Sequence, residues 1–294
     1  MSKLHICYCT DSYFVPWTQR SMYDIIIRKN PETEIKFYIL LNKIESCDAF
    51  EKFKEIEGIE VVTSFHDTDK IFTGAIPDMS WWHKNGFAFL RMIIPTLDIF
   101  EGINRVLYID VDTLARRDLT DLYNVGLDDK ILGYTKESMA LSFNMVHPYL
   151  DAMRNTGVIV MDLEKMRNFN FTEKCIEMCR IKSAEYRVIP AVVDQYAKHL
   201  DPKYNIPYAD VVHGSDYFKD INNWNIFHKT NYTSLNELID ESYIWHFLGN
   251  SKWPMWDDIK RILNESVVRT DLFLETGKVM NWKKEDDLMF YDIK

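Results

Sequence analysis

Glycine is scarce in this sequence, and the glycine-rich loops that hold nucleotide phosphates are missing. The chain has 10 glycines in 294 residues, and it contains neither G-x-G-x-x-G nor G-x-x-x-x-G-K-S/T. In those loops, backbone N–H groups approach a dinucleotide or a nucleoside triphosphate closely enough to bind its phosphates. The sequence therefore lacks the main evidence that would identify a nicotinamide-dependent dehydrogenase or a P-loop NTPase. A nucleotide bound here would have to be held by another device, such as a metal ion.

Basic residues are also in deficit. The chain has 35 Lys and Arg against 45 Asp and Glu, a net charge of −10, which argues against a general surface for nucleic acid or anionic membrane. No apolar run approaches the roughly 18 residues of a transmembrane helix, and the short apolar run at the N-terminus does not fit a signal peptide. We therefore expect a cytoplasmic protein that binds no nucleic acid and makes at most peripheral contact with a membrane.

Cysteine is rare, and its spacing is not that of a metal or disulfide framework. There are five cysteines, an odd number, and none belongs to a Cys-x-x-Cys pair. Cys175 and Cys179 are four residues apart, a spacing that places both on one face of a helix. Reduced thiols fit this pattern better than disulfides or zinc ligands.

The first part of the chain alternates strand and helix patterns. Apolar runs at 4–10, 34–41 and 59–63 predict strands, separated by a helix over Pro16–Arg28 and a charged helix at about 48–56. This β-α-β-α-β order implies parallel strands with right-handed crossovers, and a single domain is the simplest arrangement. Further predicted elements are a helix at 87–94, strands at 105–109, 130–134, 156–162 and 243–247, and helices at 172–182 and 192–199.

Two acidic residues follow the strand at 105–109. The sequence there is Arg-Val-Leu-Tyr-Ile-Asp-Val-Asp, and on an extended backbone Asp110 and Asp112 would point the same way at the rim of the sheet, where ligands of open α/β folds bind. A divalent cation carrying a diphosphate suits two such carboxylates; the alternative is a pair of acids that cap the next turn. A second Asp-x-Asp, Asp67 and Asp69, lies in a polar stretch and is interpreted as a solvated loop.

A late segment supplies groups that could complete a site with these carboxylates. It reads Trp-His-Phe-Leu-Gly-Asn-Ser-Lys-Trp-Pro-Met-Trp from residue 245. His246 could be a third ligand, and two carboxylates with one imidazole suit Mn²⁺. Gly249 would let the backbone approach a phosphate, and Lys252 would neutralise charge on a departing diphosphate. Taken alone, His246 could instead be a histidine packed among aromatics, and Lys252 a solvated lysine.

These two segments together resemble those of a known family. Leu-Tyr-Ile-Asp-Val-Asp, paired with His-x-x-Gly-x-x-Lys and a following tryptophan, resembles glycosyltransferase family 8, which includes bacterial lipopolysaccharide galactosyl- and glucosyltransferases and glycogenin. The resemblance implies a single-domain α/β GT-A fold over 1–256, with a Rossmann-like, mostly parallel sheet and helices on both faces, and a C-terminal extension at 257–294. It also implies a UDP-sugar donor, retention of configuration, and Mn²⁺ or Mg²⁺ held by Asp110, Asp112 and His246, with Val111 in the same motif.

The segment Cys-Thr-Asp-Ser-Tyr-Phe after the first strand resembles the family motif that holds uracil and ribose. By that resemblance Asp11 bonds the uracil, and Tyr13 or Phe14 stacks on it. Cys9 and Thr10 belong to the same binding segment. Judged from its neighbours alone, Asp11 could equally cap a helix.

Two more stretches resemble parts of the family that contact the donor. By the match of Phe-Leu-Arg-Met-Ile-Ile-Pro, Arg91 would reach the donor diphosphate or sugar; otherwise it is a surface arginine. By the match of Asn155-Thr156-Gly157 to an Asn-Ala-Gly strand, Asn155 would contact the donor sugar; otherwise the three residues form a turn. Thr156 stands where the family usually has alanine, a difference that bears on the choice of sugar.

Val-Asp-Gln-Tyr at 193–196 resembles the family's Asp-Gln motif beside the anomeric carbon. The resemblance implies that Gln195 or Asp194 steadies the oxocarbenium-like state, while Lys252 and Arg91 stabilise the departing UDP. Asp194 could otherwise be an acid at a helix start. The predicted reaction is Mn²⁺-assisted transfer of a hexose from UDP-glucose or UDP-galactose to a hydroxyl of a glycan or a lipid-linked glycan. The alternatives are a catalytically silent sugar-nucleotide-binding protein and a metal-dependent phosphodiesterase.

Overall fold

The structure is a computed structural model that describes residues 3–75, 82–137, 154–181, 185–207 and 219–247. Its strands form a seven-stranded sheet in the order β3-β2-β1-β4-β7-β6-β8 and a three-stranded sheet in the order β5-β10-β9. The strands are β1 Lys3–Thr10, β2 Glu34–Asn42, β3 Ile59–His66, β4 Arg105–Ile109, β5 Thr113–Ala115, β6 Leu132–Lys136, β7 Arg154–Asp162, β8 Ala197–His199, β9 Ile206–Pro207 and β10 Ile244–His246.

Strands β1, β2 and β3 are parallel, as the β-α-β-α-β pattern predicts. Most side chains of β1 and β2 are buried on both faces of the sheet. Successive residues of β2 alternate between two hydrophobic clusters, with Phe37 and Ile39 in one and Tyr38 and Leu40 in the other. Because neighbouring side chains of a strand point to opposite faces, the sheet has a core on each side, as expected of a parallel sheet covered by helices.

Helices cover both cores. They are α1 Val15–Arg28, α2 Thr68–Ile71, α3 Thr120–Tyr123, α4 Leu163–Asn168, α5 Phe171–Cys179, α6 Glu185–Val193, α7 Ile221–His228 and α8 Leu235–Glu241. The helix predicted at 87–94 overlaps the second half of a 3-10 helix, Trp82–Met92. Cys175 and Cys179 are both buried on α5, and all five cysteines are free thiols. Within the described residues, no helix combines the length and apolar character needed to cross a bilayer.

Two predicted helices are wrong. The charged helix expected at 48–56 is only a short 3-10 helix, Glu51–Glu55. The helix expected at 192–199 is replaced by the end of α6, a 3-10 turn at Asp194–Tyr196, and β8. The second difference has a tertiary cause, since β8 pairs in parallel with β6 and completes the edge of the sheet. Such pairing depends on a distant strand and overrides local helix propensity.

Strand β7 is antiparallel to its neighbours β4 and β6, so its first residues lie at the edge of the sheet where β4 ends. The amide of Asp110, directly after β4, donates to the carbonyl of Gly157 at 2.7 Å. The Asn155-Thr156-Gly157 segment therefore belongs to a strand and lies next to the paired aspartates.

The small sheet brings a distant part of the chain to the same edge. β10 pairs antiparallel with β5, which places His246 opposite Thr113, and parallel with β9. The amide of Phe247 donates to the carbonyl of Asp112 at 2.9 Å. The strand predicted at 243–247 therefore exists as β10, and its pairing delivers His246 to the aspartates.

Candidate functional site

Asp110, Asp112 and His246 converge on one point at the edge of the large sheet. His246 Nε2 lies 3.2 Å from Asp112 Oδ1 and 3.8 Å from Asp110 Oδ2. Among the described residues, these three form the one group of His, Cys, Asp or Glu side chains whose ligand atoms all lie within 4.8 Å of one another. Asp112 and His246 are buried, whereas the Asp110 side chain is 20% exposed. The arrangement is therefore a pocket of two carboxylates and an imidazole with an opening beside Asp110.

The backbone at the aspartates is not extended, in contrast to our expectation. β4 ends at Ile109, and Val111 and Asp112 form a turn before β5. The turn is held by a hydrogen bond from the Thr113 hydroxyl to the Asp110 carbonyl at 2.9 Å, and Val111 is packed in the core. The two carboxylates converge because this turn is fixed, and not because alternate residues of a strand share a face.

The other oxygen of Asp110 is engaged by two buried donors. Its Oδ1 accepts from the Tyr108 hydroxyl at 2.5 Å and lies 3.0 Å from Arg91 Nη2. Arg91 is 3% exposed, and its Nη1 donates to the Thr156 carbonyl at 2.7 Å. Burial raises the pKa of Tyr108 well above its ordinary value, so the phenol stays protonated and donates. Oδ2 of Asp110 is thereby turned toward His246.

Tyr108 is a site residue that the sequence interpretation missed. It lies two positions before Asp110, and its hydroxyl reaches Oδ1 of that residue; this two-residue spacing at the end of the strand could have identified it. The Arg91 guanidinium lies 4.7 Å above the Tyr108 ring, a distance at which a cation is attracted to an aromatic face. Arg91 is thus in the site, in contact with Asp110 and Thr156.

His246 is held on its other side by an amide. Its Nδ1 lies 3.1 Å from Asn205 Oδ1, and Asn205 Nδ2 donates to Asn155 Oδ1 at 2.8 Å. Asn155 Oδ1 also accepts from the Gly157 amide, and Asn155 Nδ2 donates to Glu137. Asn205 was not predicted, because it follows a short 3-10 helix, Pro202–Tyr204, and carries no motif that links it to a distant histidine.

Gly157 makes room for the imidazole. A Cβ atom at this position would lie 2.0 Å from His246 Cε1 and 2.8 Å from Asp110 Oδ2. Both distances are far shorter than an ordinary van der Waals contact. The glycine expected near the donor is therefore required by the close approach of the strand to His246 and Asp110.

The segment after β1 begins helix α1 and presents one aromatic ring to solvent. Asp11 Oδ1 accepts from the amides of Tyr13 and Phe14 at 3.0 and 3.1 Å, so it caps this turn. Burial raises the pKa of Asp11, and these N–H donors partly offset the rise. Tyr13 is 41% exposed, whereas Phe14 packs against the Phe87 ring at 5.1 Å. Tyr13 is therefore the better placed of the two for stacking on a ligand.

Cys9 and Thr10 point into the protein. Both are fully buried. Thr10 Oγ1 accepts from the Thr18 hydroxyl at 2.9 Å, and Cys9 packs in the hydrophobic core. Contact of these two residues with a nucleotide would therefore involve their backbone.

Asp194 is bound to strand β7 through an arginine. Its carboxylate accepts from Arg154 Nε at 2.6 Å and from Arg154 Nη2 at 2.9 Å, and the Tyr134 hydroxyl donates to Oδ1 at 2.9 Å. Since Arg154 directly precedes Asn155, this ion pair ties the Asp-Gln segment to the Asn-Thr-Gly strand. Gln195 is exposed on the following 3-10 turn.

The remaining predicted residues separate into two groups. Gly249 and Lys252 lie outside the described residues, as does the extension at 257–294. Asp67 and Asp69 were expected in a solvated loop, but Asp67 caps the short helix α2 and Asp69 lies in its first turn; Asp67 Oδ1 accepts from the Asp69 amide at 3.1 Å. They take no part in the pocket of Asp110, Asp112 and His246.

Curated proteins with similar sequences include two bacterial ones. General stress protein A of Bacillus subtilis strain 168 is 24% identical over 189 residues, which cover 59% of this chain and 60% of that protein. The lipopolysaccharide 1,2-glucosyltransferase of Escherichia coli K12 is 22% identical over 270 residues, which cover 86% of this chain and 73% of that protein. The chain thus spans about 60% of the length of the first relative.

Solved structures share the fold. The bifunctional glycosyltransferase WbbM in its apo form aligns with a TM-score of 0.68 at 16% identity, over 90% of this chain and 50% of that one. The galactosyltransferase LgtC, in complex with donor and acceptor sugar analogs, aligns with a TM-score of 0.64 at 15% identity, over 84% of this chain and 88% of that one. These likenesses confirm the expected α/β fold of the GT-A type, with its large, mostly parallel sheet.

A family profile covers nearly the whole sequence. It is the profile of glycosyl transferase family 8, and it matches residues 5–260. The matched region contains the paired aspartates, the Asn-Thr-Gly strand and His246, which the fold brings together. The chain belongs to glycosyl transferase family 8.

Proposed function

We propose that this glycosyltransferase is a retaining, Mn²⁺-dependent hexosyltransferase. Its donor would be UDP-glucose or UDP-galactose, and its acceptor a hydroxyl group of a glycan or a lipid-linked glycan. The convergence of Asp110 Oδ2, Asp112 Oδ1 and His246 Nε2 carries the proposal, because it supplies the charge needed to hold a cation under a diphosphate. We also propose that the enzyme acts in the cytoplasm.

The donor set supports a borderline divalent cation. Two carboxylate oxygens and one imidazole nitrogen suit Mn²⁺, and Mg²⁺ is less favoured by the nitrogen ligand. The opening beside Asp110 leaves room for ligands from a substrate. A bound Mn²⁺ would act as a Lewis acid that neutralises charge on the diphosphate leaving group.

The residues around the pocket would orient its ligands before the donor arrives. Arg91 and Tyr108 bind Oδ1 of Asp110 and so present Oδ2 to the cation. The positive charge of Arg91, 3.0 Å from Asp110, also offsets part of the repulsion between the two carboxylates. Fixed groups of this kind stabilise developing charge without reorganising during the reaction.

The donor itself would lie between the N-terminal segment and β7. In this proposal Asp11 accepts from the uracil, and Tyr13 stacks on its ring. Asn155 and Thr156 face the sugar, and Gln195 lies near the anomeric carbon.

The Asp194 carboxylate already accepts three hydrogen bonds. This supports a role for it as a fixed hydrogen-bond acceptor beside the sugar. Gly249 and Lys252 complete the proposed site, with Lys252 stabilising the charge of the departing UDP.

A UDP-release assay tests the proposal. The protein is incubated with UDP-glucose and with UDP-galactose, with and without Mn²⁺, and donor hydrolysis is followed. We expect Mn²⁺-dependent release with at least one donor, and a loss of roughly 10²–10³ in rate for Asp110→Asn and for Asp112→Asn. The anomeric configuration of the product, read by NMR, tests retention.

The second Asp-x-Asp supplies a matched control. Asp69→Asn removes a carboxylate of the same type from an exposed position that pairs with Lys43, and it should leave the rate unchanged. Full activity in Asp110→Asn and Asp112→Asn would refute the assignment. UDP binding without turnover across donors and acceptors would favour the silent binding protein instead.

A further inference from the structure

A chain of amide hydrogen bonds connects the metal pocket to strand β7. It runs from His246 Nδ1 to Asn205, then to Asn155, and ends at the Gly157 amide and Glu137. Asn205 is buried, as are His246 and Asn155. In a buried environment each hydrogen-bond donor needs an acceptor and each acceptor needs a donor. The direction of every hydrogen bond in this network can therefore be worked out.

Both ends of the chain have a fixed polarity. The backbone amide of Gly157 can only donate, so the Asn155 atom that it contacts at 3.0 Å is the carbonyl oxygen. A carboxylate only accepts, so the other Asn155 terminus, 3.1 Å from Glu137 Oε2, is the NH₂ group. These two independent contacts agree on the orientation of the Asn155 amide.

The orientation of Asn155 then determines that of Asn205 and His246. The Asn205 group at 2.8 Å from Asn155 Oδ1 must donate and is therefore the NH₂ group. This turns Asn205 Oδ1 toward His246 Nδ1 at 3.1 Å. Because Oδ1 has no proton, the hydrogen of this bond comes from His246 Nδ1. The Nε2 lone pair is then available on the side that faces Asp110 and Asp112.

We propose that Asn205 is a positioning residue for the metal ligand His246. It holds the proton on Nδ1 and fixes the plane of the ring, so that the Nε2 lone pair faces the two aspartates with which it would hold a cation. The inference rests on the proposed metal site. Partners that orient a ligating histidine in this way commonly change metal affinity by about 10–100-fold when they are removed.

The first test reads the proton directly. Histidine is labelled with nitrogen-15 in the metal-free full chain, and the His246 signals are assigned by their loss in His246→Gln. We expect Nδ1 of His246 to carry a proton in mildly alkaline buffer in the wild-type protein. In Asn205→Leu, which has no acceptor at this point, we expect the proton to move to Nε2, facing Asp112. An unprotonated Nδ1 in the wild type would overturn the proposal.

The second test measures Mn²⁺ binding without any donor, by electron paramagnetic resonance of the free ion. Asn205→Leu should weaken binding by roughly 10–100-fold. Asn205→Asp keeps an acceptor facing Nδ1 but loses the NH₂ group that donates to Asn155 Oδ1, so its affinity should lie between those of the wild type and Asn205→Leu. Asn225→Leu is the control, because Asn225 also anchors a part-buried amide network, with Thr230 and Tyr232, that has no contact with the pocket; its Mn²⁺ affinity should be unchanged.

The outcomes separate this inference from the proposed function. If Asn205→Leu binds Mn²⁺ as tightly as the wild type, Asn205 does not act on the metal ligand and the inference is overturned. If the wild type binds no Mn²⁺, the proposed function is overturned. The proton measurement in the metal-free wild type still tests the contact between Asn205 and His246, even where a variant fails to fold.

Discussion

Replacing Gly157 by alanine should abolish the proposed metal pocket while leaving the fold in place. The added Cβ would lie 2.0 Å from His246 Cε1 and 2.8 Å from His246 Nδ1. Since ordinary contact begins at 3.4 Å, the imidazole would have to move by about 1.4 Å. Metal ligands tolerate errors of only about 0.2 Å, so a displacement of this size removes His246 from the ligand set.

The expected magnitudes follow from this displacement. Loss of an orienting partner costs about 10–100-fold in metal affinity, and displacement of the ligand itself should reach at least the upper end of that range. Overpacking a rigid interior should also lower the free energy of unfolding by about 1–3 kcal/mol. Titration with Mn²⁺, followed by electron paramagnetic resonance, measures the first effect, and urea unfolding measures the second.

Gly133→Ala is a matched control, because it makes the same substitution at a glycine outside the pocket. A Cβ there would meet Leu200 Cδ2 at 2.9 Å and Leu127 Cδ2 at 3.0 Å, so Gly133→Ala crowds the core against side chains that can adjust and that lie outside the pocket. It should cost stability and leave Mn²⁺ affinity unchanged. In a His246→Ala background the stability cost of Gly157→Ala should shrink, because its main clash is gone. Wild-type Mn²⁺ affinity in Gly157→Ala would refute the reasoning.

Two further predictions concern a tyrosine and a histidine. Tyr108→Phe removes the donor to Asp110 Oδ1 and should weaken Mn²⁺ binding roughly 10-fold. Tyr134→Phe removes a buried donor to a different carboxylate, that of Asp194, and should leave Mn²⁺ binding unchanged. Equal Mn²⁺ affinities in the two variants would contradict this prediction. Burial lowers the pKa of His228 from 6.5 to about 3, so the unfolded chain takes up the proton first, and stability falls as the pH falls from 6.5 toward 3. In urea unfolding, His228→Phe should reduce that decline by up to about 1.4 kcal/mol per pH unit. Identical slopes in the wild type and His228→Phe would show that His228 does not titrate in this way.

The sequence correctly predicted the strands that carry candidate site residues at their ends. Apolar runs identified β1 to β4, and the residues that follow them, Asp11 and Asp110, lie at one edge of the sheet because parallel strands end together. His246 could be paired with Asp110 and Asp112 through the resemblance to a family. The short distance from His246 to the two aspartates depends on the pairing of β10 with β5, which no local sequence pattern predicts.

What the sequence did not reveal depends on long-range packing. Asn205 lies in a short irregular segment, and its contact with His246 exists only because β9 and β10 are neighbours. Arg154 is an ordinary strand residue until β8 brings Asp194 beside it. The last part of the helix expected at 192–199 is instead strand β8 for the same reason, since the edge of β6 offers hydrogen bonds that local propensity does not predict.

The position of β10 late in the chain also sets the order in which the pocket is built during translation. The codon for His246 is read 134 codons after that for Asp112, an interval of about 7–27 s at 5–20 residues per second. Throughout that interval a nascent chain can pair β1 with β4 but lacks the imidazole. The growing polypeptide therefore holds the two carboxylates before it holds the imidazole, and the three ligands proposed for the cation come together only after β10 has been made.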